Sequence, residues 1–154
     1  MTTEFCTHDT LLCRIVIHTN GTSITGIAFD LLKEVPVTPP VSALTVEAIR
    51  QIDEYFAGKR KEFKLPLDLE GTPFQKAVWQ QLALIPYGKT VSYKQIAIAS
   101  GSPNGARAVG MACNKNPIPI IIPCHRVVGS NGGLTGFACG TDTKQSLLEL
   151  ESHN

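Results

Sequence analysis

The chain has 154 residues, enough for one ordinary domain or two small ones and too few for a large multidomain enzyme. Hydrophobic residues make up 43% and charged residues 18%, a composition that excludes intrinsic disorder. The longest apolar run, Ile118 to Pro123, is far shorter than the ~20 residues that span a bilayer, and the first residues lack the pattern of an export signal. We therefore expect neither membrane association nor export. Five cysteines without a C-x-x-C pair favour a reducing compartment, and hence the cytoplasm.

The net charge of +1 conceals an asymmetry along the chain. Residues 1–70 hold seven Lys/Arg against ten Asp/Glu, whereas residues 71–141 hold six Lys/Arg and no carboxylate. A locally positive surface raises the affinity for a polyanion, and this predicts an anionic partner for the second segment. Chance depletion of acids in a core-rich segment is the alternative.

The first segment predicts a small sheet with one helix. Two β-rich runs, residues 12–19 and 23–29, flank Asn20-Gly21, a strong hairpin signal. Residues 63–69 alternate apolar and polar side chains, which predicts a half-buried strand that Pro66 confines to a sheet edge. A helix that ends at Gly58 lies between them. Its apolar stripe consists of Ile49, Ile52 and Phe56.

Two capping boxes predict where helices begin in the second segment. Thr72 with Gln75 opens one helix, and Ser92 with Gln95 opens the next. We expect the inward face of the first of these helices to consist of Phe74, Ala77, Val78 and Leu82.

A third helix, over residues 104–114, follows a tight turn at Gly101-Ser102-Pro103, so the two helices around the turn predict a helix-turn-helix. Most residues of the third helix are small, and Arg107 is its one long charged side chain before Lys115. This pattern suits insertion into a DNA groove. Tight helix packing in a core is the alternative.

Cys124 is the candidate nucleophile, since it follows Pro123 directly and precedes His125 and Arg126. A free thiol is only a few per cent thiolate at neutral pH, so a reactive cysteine needs a base or a positive charge nearby. Adjacency does not guarantee this contact, because neighbours on a strand point to opposite faces, and a small buried cysteine is the alternative.

A carboxylate that could orient His125 is found on the last predicted helix, which begins near Thr141. Leu147 and Leu148 mark its packed face, and Glu151 lies four and three residues further on, so Glu151 faces the core while Glu149 does not. A carboxylate that binds one ring nitrogen would fix the histidine tautomer and raise the basicity of the other nitrogen. Exposure near a frayed helix end is the alternative for Glu151.

Residues 72–151 resemble the O6-alkylguanine-DNA alkyltransferases, also called methylated-DNA–protein-cysteine methyltransferases. The motifs that carry the resemblance are Phe74-Gln75-x-x-Val78-Trp79, Ile85-Pro86-x-Gly88, Ser92-Tyr93, Ala106-Arg107-Ala108-Val109-Gly110, Asn116-Pro117, Ile122-Pro123-Cys124-His125-Arg126-Val127-Val128, Gly136-Phe137 and Leu147-Leu148-x-x-Glu151. The resemblance implies an α+β fold: an N-terminal ribonuclease H-like domain at 1–70 with a small antiparallel sheet and a helix, then a mostly helical, winged-helix-like DNA-binding domain at 71–154 with the helix-turn-helix and the alkyl acceptor.

The implied activity is direct-reversal repair by a methylated-DNA–protein-cysteine S-methyltransferase. Cys124 would take the alkyl group from O6 of guanine, with O4 of thymine as a second candidate lesion, in a single-turnover reaction that leaves S-alkylcysteine. The resemblance makes His125 the water-mediated base, oriented by Glu151, with Asn116 supporting the site and Tyr93 donating toward N3 of the departing guanine. It implies no metal, nucleotide or organic cofactor. The implied walls of the base pocket are Tyr93, Val127, Phe137, Ala138 and Cys139.

The implied partner is double-stranded DNA that contains O6-alkylguanine, bound through the minor groove by a monomer with little sequence specificity. Arg107 would replace the target nucleotide when that nucleotide is flipped out of the duplex. The other expected DNA contacts are Ser92, Ala106, Gly110, Lys115 and Arg126.

Three features stand apart from this interpretation. Phe137 stands where many relatives have Tyr, and Cys139 where they have Gly, which bears on the range of adducts accepted. A zinc site in the first segment is considered because four potential ligands occur there, but their spacings match no recognised zinc finger. These residues are Cys6, His8, Cys13 and His18. Two other functions remain open: a non-enzymatic alkyltransferase-like protein that binds lesions, which normally lacks the acceptor cysteine, and a hydrolase with a Cys-His-Glu triad.

Overall fold

The chain separates after Leu69 into two units, Met1–Leu69 and Glu70–Asn154. The computed structural model describes residues 3–130 and 140–153 of them. Within this part of the chain, none of the helices has the length and hydropathy that a membrane span requires.

The first unit is built on a three-stranded antiparallel sheet. Its strands are β1 (Glu4–Asp9), β2 (Arg14–Thr19) and β3 (Ile24–Asp30), in the order β1-β2-β3. The predicted hairpin is confirmed as β2 and β3. Asn20 Oδ1 accepts hydrogen bonds from the Thr22 and Ser23 amides, and Gly21 has φ of 95°, a value that disfavours other residues. Strand β1 was not predicted from the sequence.

The predicted helix of this unit is confirmed as α1 (Ala43–Phe56). Ser42 caps it through a reciprocal pair of hydrogen bonds with Thr45. Ile52 and Phe56 are buried, and the helix ends two residues before Gly58, whose φ is 75°.

The predicted strand over residues 63–69 is wrong as a strand. The segment makes one isolated parallel bridge, between Leu67 and Ile24, in which the Ile24 N–H donates to Pro66 O and the Ile24 carbonyl accepts from the Asp68 N–H. The alternation of half-buried and exposed residues still follows the sequence pattern. The alternating pattern therefore predicted correctly which side chains are half-buried, but it did not predict the hydrogen bonding. Pro66 has no N–H, so it cannot contribute a donor to a longer ladder.

The second unit is mostly helical. Its helices are α2 (Pro73–Ala83), α3 (Tyr93–Ala99), α4 (Ala106–Asn114) and α5 (Thr141–Ser152). Both predicted capping boxes are confirmed at the starts of α2 and α3. Val78 and Leu82 of α2 are buried as expected, while Phe74 and Ala77 are half-buried. Trp79 is also buried, and its Nε1 donates to Ala112 O at 2.9 Å, which joins α2 to α4.

Helices α3 and α4 with the connecting residues 100–105 form the predicted helix-turn-helix, and α4 starts at Ala106 rather than at residue 104. Val109, Ala112 and Cys113 form the buried face of α4. Two short strands, β4 (Val91–Ser92) and β5 (Val127–Val128), pair in parallel. This pairing holds the segment that carries Cys124 next to the start of α3.

Candidate functional site

Cys124 begins a single 3-10 turn, Cys124–Arg126, that leads directly into β5. Its thiol is not in a disulfide, and the residue is only 3% exposed. The turn changes the expectation for its neighbours, because consecutive residues of a 3-10 helix point about 120° apart rather than to opposite faces. All three residues of the turn are buried.

Glu151 faces inward from the last turn of α5, as the helix periodicity predicted, and is 4% exposed. One of its carboxylate oxygens, Oε2, lies 2.7 Å from Nε2 of His125. Glu149 is exposed. The structure thus brings Glu151 into contact with His125, the residue that follows Cys124 in the chain.

The hydrogen bond to Glu151 determines the tautomer of His125. A carboxylate only accepts, so Nε2 carries the hydrogen and Nδ1 keeps its lone pair. Nδ1 is buried and has no hydrogen-bond partner among the described residues. His125 therefore presents a basic nitrogen inside the protein.

Burial lowers the pKa of His125 below its ordinary value, and this effect outweighs the opposing effect of Glu151. Arg126 and Lys144 lower the pKa further. The direction is physically reasonable because the Arg126 guanidinium already balances the Glu151 charge, so a protonated imidazole would add an uncompensated charge to a buried cluster. His125 is neutral at neutral pH and can accept a proton.

Arg126 lies inside the protein, which corrects its expected place among the DNA contacts. It is 6% exposed, and its Nε and Nη2 donate to the two oxygens of Glu151 at 2.8 and 2.9 Å. Its Nη1 donates to Ile85 O at 2.7 Å, and the guanidinium lies 5.6 Å from the centre of the Tyr87 ring. A guanidinium held by a fork of this kind is not presented to a phosphate.

Lys144 is a site residue that the sequence analysis missed. It lies on α5, is fully buried, and donates from Nζ to the Tyr93 hydroxyl at 3.3 Å, with Nζ 5.5 Å from the centre of the Tyr93 ring. Its position three residues before Leu147 and seven before Glu151 was the available signal, because these spacings share one helix face.

The charged form of Lys144 is disfavoured by burial, which lowers its pKa, while the Cys113 and Cys124 thiols act in the opposite direction. Cys113 is a second buried thiol in this cluster, and burial together with Cys124 raises its pKa to about 12. Cys113 is therefore protonated at neutral pH and is a poor nucleophile.

Asn116 braces the segment that leads to Cys124. Its Nδ2 donates to Ile122 O at 2.8 Å, and its Oδ1 accepts from the Ile118 amide at 3.0 Å. Within this segment Ile120 has φ of 74° and is buried, a conformation that a β-branched residue adopts only when its surroundings hold it there. Asn116 thus acts on the backbone before the nucleophile.

Most of the expected DNA contacts lie on the helix-turn-helix. Arg107 and Lys115 are exposed, while Ala106 and Gly110 are half-buried. A Cβ added to Gly110 would have Tyr93 as its nearest neighbour, at 3.9 Å, so α4 passes close to Tyr93. Ser92 is engaged as the N-cap of α3, where its Oγ accepts from the Gln95 amide.

The other residues expected to line the base pocket are Val127 and three residues that precede α5 in the chain. Val127 is buried in β5. Phe137, Ala138 and Cys139 lie outside the described residues. Over residues 3–130 and 140–153 no group of three metal-ligating side chains is found, and His8, one of the four considered for zinc, lies 2.7 Å from Asp53.

Comparisons with known proteins identify relatives of both units. Residues 73–153 match the DNA-binding domain of 6-O-methylguanine DNA methyltransferase, and residues 7–69 match its ribonuclease-like domain. A methylated-DNA–protein-cysteine methyltransferase of Methanosarcina barkeri is 58% identical over 108 residues, which cover 70% of this chain and 68% of the relative. One of Mycobacterium leprae is 54% identical over 114 residues, covering 74% and 69%.

Solved structures agree with these matches. The crystal structure of Mycobacterium tuberculosis O6-methylguanine methyltransferase superposes with a TM-score of 0.88 at 41% identity and covers 99% of this chain and 94% of that one. A structure of Mycobacterium tuberculosis OGT in complex with DNA gives 0.88 at 42% identity, covering 97% and 92%.

Proposed function

The chain belongs to the methylated-DNA–protein-cysteine methyltransferase family, and from this premise we propose that Cys124 is its alkyl acceptor. The protein is a direct-reversal DNA repair enzyme, and DNA is its partner. The lesion we assign to it is O6-alkylguanine. One observation carries the assignment of the acceptor: a buried neutral imidazole, fixed by a carboxylate, lies next to Cys124 with its basic nitrogen unused.

The transfer is a single in-line displacement. Sγ of Cys124 attacks the carbon bonded to O6 of guanine, so that a C–S bond forms while the C–O6 bond breaks and its electron pair leaves with the guanine. The thiol proton goes to Nδ1 of His125, directly or through a water molecule. The thioether product contains no bond that water readily cleaves, so each molecule reacts once and no cofactor chemistry is required.

Tyr93 would donate a hydrogen bond to the departing base and so stabilise the charge that develops on it. In the contact between Tyr93 and Lys144, Nζ of the lysine is the donor and the Tyr93 oxygen is the acceptor. The phenolic hydrogen is then directed to another acceptor, and N3 of the guanine fits that role. Lys144 therefore acts as a positioning residue for Tyr93.

The helix-turn-helix would bind the minor groove of duplex DNA as a monomer. The lesion must leave the base stack to reach Cys124, at a cost of a few kcal/mol. Arg107 is exposed on α4 and long enough to take the place of the flipped nucleotide. Binding through phosphates and groove shape implies little sequence preference.

A mass measurement tests the acceptor. Incubation with duplex DNA that contains O6-methylguanine should add 14 Da (one CH₂) to the intact protein, located at Cys124 by peptide mapping, and Cys124→Ala should abolish the gain while Cys113→Ala keeps it. Lesion binding without a mass gain would indicate the alkyltransferase-like alternative. Multiple turnover on an ester or peptide would indicate the hydrolase.

The role of Arg107 is tested by comparing two substrates. Arg107→Ala should slow repair of the duplex by about tenfold or more and leave the reaction with free O6-benzylguanine base within twofold, because the free base needs no flipping. Equal losses on both substrates would contradict this role.

A further inference from the structure

The exposed face of α4 carries one large apolar side chain, Met111. The helix buries Val109, Ala112 and Cys113, and at 100° per residue Arg107 and Met111 lie on the opposite side, about 40° apart around the axis. They are separated by four residues, or about 6 Å along the helix. Met111 therefore shares its face with Arg107.

Met111 is 65% exposed, which makes it the exception on a helix whose other apolar residues are small or buried. The flanking cations at one turn on either side are Arg107 and Lys115, and both are exposed. A face of α4 with positive charge at both ends and an apolar centre matches the surface of a nucleic-acid groove, where phosphates border the C–H edges of sugars.

We propose that Met111 is a further DNA contact, which packs against the deoxyribose wall of the minor groove one helical turn from Arg107. This inference rests on the proposed function, because insertion of Arg107 into the duplex brings its own helix face into the groove. Met111 lies on that face and is 65% exposed, so its side chain is accessible to the groove wall. The partner that covers Met111 on this face of α4 is thus duplex DNA.

The chemistry of the side chain predicts what this contact contributes. A thioether has neither charge nor hydrogen-bond donor, so it gains affinity by leaving water and releases no counterions. Its three rotatable bonds let it follow different groove walls, so it discriminates little between sequences. Met111 should therefore strengthen binding by an amount that salt hardly changes, whereas phosphate contacts weaken as salt rises.

The test compares Met111→Gln with Met111→Leu in a Cys124→Ser background, which keeps the complex with lesion-containing duplex reversible. Gln has similar length and helix propensity but is polar, so the dissociation constant should rise about tenfold, while Met111→Leu should stay within about twofold. The slope of log affinity against log salt should be the same in all three proteins. Leu84→Gln, at an exposed apolar position at the end of α2, is the matched control and should bind like the parent.

Each result decides between the possibilities. Unchanged affinity in Met111→Gln, an altered salt slope, or an equal loss in Leu84→Gln would overturn the contact. These outcomes are distinct from a failure of the proposed function, in which the parent protein gains no mass from the lesion or does not bind the duplex at all.

Discussion

Glu151 connects the charged groups of the proposed site, because its two oxygens accept hydrogen bonds from three partners. Oε2 accepts from His125 and from Arg126, while Oε1 accepts from Arg126 and from the Gly88 amide. The guanidinium keeps the buried carboxylate ionised, and the ionised carboxylate fixes the imidazole. In the proposed reaction, Arg126 therefore acts on Cys124 through Glu151 and His125.

Glu151→Gln tests this arrangement. The amide keeps the shape of the carboxylate but leaves the buried Arg126 without a counterion, so the free energy of unfolding should fall by about 3–5 kcal/mol. Alkyl transfer should slow by about tenfold or more between pH 6 and 8, while lesion binding stays within twofold. Urea denaturation and single-turnover rates measure these effects, and Glu149→Gln on the exposed side of α5 is the control. A parental rate in Glu151→Gln would remove the carboxylate from the mechanism.

The lowered pKa of His125 predicts how stability and rate depend on pH. Above pH 6.5 the imidazole is neutral in both folded and unfolded chains; as pH falls below 6.5, the unfolded chain binds a proton first, so stability declines until the folded pKa is passed. The transfer rate needs the neutral form and should persist somewhat below pH 6.5. His125→Gln should lose this part of the pH dependence, and His153→Gln, at an exposed position, should keep it. Urea midpoints between pH 5 and 8 provide the measurement.

For single residues, the sequence predicted which helix face a side chain occupies better than it predicted the hydrogen-bond partners of that side chain. Glu151 could be placed inside because helix periodicity relates it to Leu147. The burial of Arg126 could not be predicted, because a short segment without helix or strand periodicity does not indicate which of its long side chains is buried. Lys144 was missed because lysines are almost always exposed, although it occupies the same helix face as Glu151.

The helix-turn-helix depends on Gly105 for a steric reason. The residue precedes α4, and a Cβ built there would lie 2.8 Å from Ser102 Oγ and 3.0 Å from Ser102 O. The hydroxyl can rotate away, but the carbonyl belongs to the turn itself, since it accepts from the Gly105 amide at 2.8 Å. A side chain at this position must therefore push the Ser102 carbonyl back by a few tenths of an ångström, which strains the turn.

Gly105→Ala should lower the free energy of unfolding by about 1–2 kcal/mol, within the range of overpacking effects, and weaken duplex binding. Gly110→Ala on the same helix is a control of opposite sign. It has room for a Cβ and replaces a glycine within a helix, so it should raise stability by about 0.5–1 kcal/mol. Thermal or urea unfolding of both variants is the measurement. A stable Gly105→Ala with parental affinity would show that the turn tolerates the displacement.

Local signals decided which elements could be predicted. The capping boxes at Thr72 and Ser92 and the Asn20-Gly21 turn are complete within a few residues, and each is confirmed. Strand β1 pairs with β2 over its whole length, yet its sequence, Glu4–Asp9, mixes polar and apolar residues without a clear period. Its place in the sheet is determined by pairing with β2, and such pairing cannot be predicted from a local sequence pattern.

Over the whole molecule, charge is divided between the two units in a way that favours the second as the DNA-binding unit. Of the six cations in residues 71–141, Arg126 is held inside by Glu151. The other five are exposed: Lys76, Lys89, Lys94, Arg107 and Lys115. With seven Lys/Arg against ten Asp/Glu, residues 1–70 would repel phosphate. The structure thus reduces the number of cations available to DNA to no more than five in this segment.

This count sets a limit on the salt dependence of binding. Each phosphate contact contributes about −0.9 to the slope of log affinity against log salt, so the slope on undamaged duplex should be no steeper than about −4.5. Lys115→Gln should make it shallower by about 0.9, whereas Lys59→Gln, at an exposed position in the first unit, should leave it unchanged. Fluorescence anisotropy between 50 and 200 mM salt gives the slopes. An equal effect of the two substitutions would mean that the first unit also contacts the phosphates, because only a cation at the interface releases counterions when DNA binds.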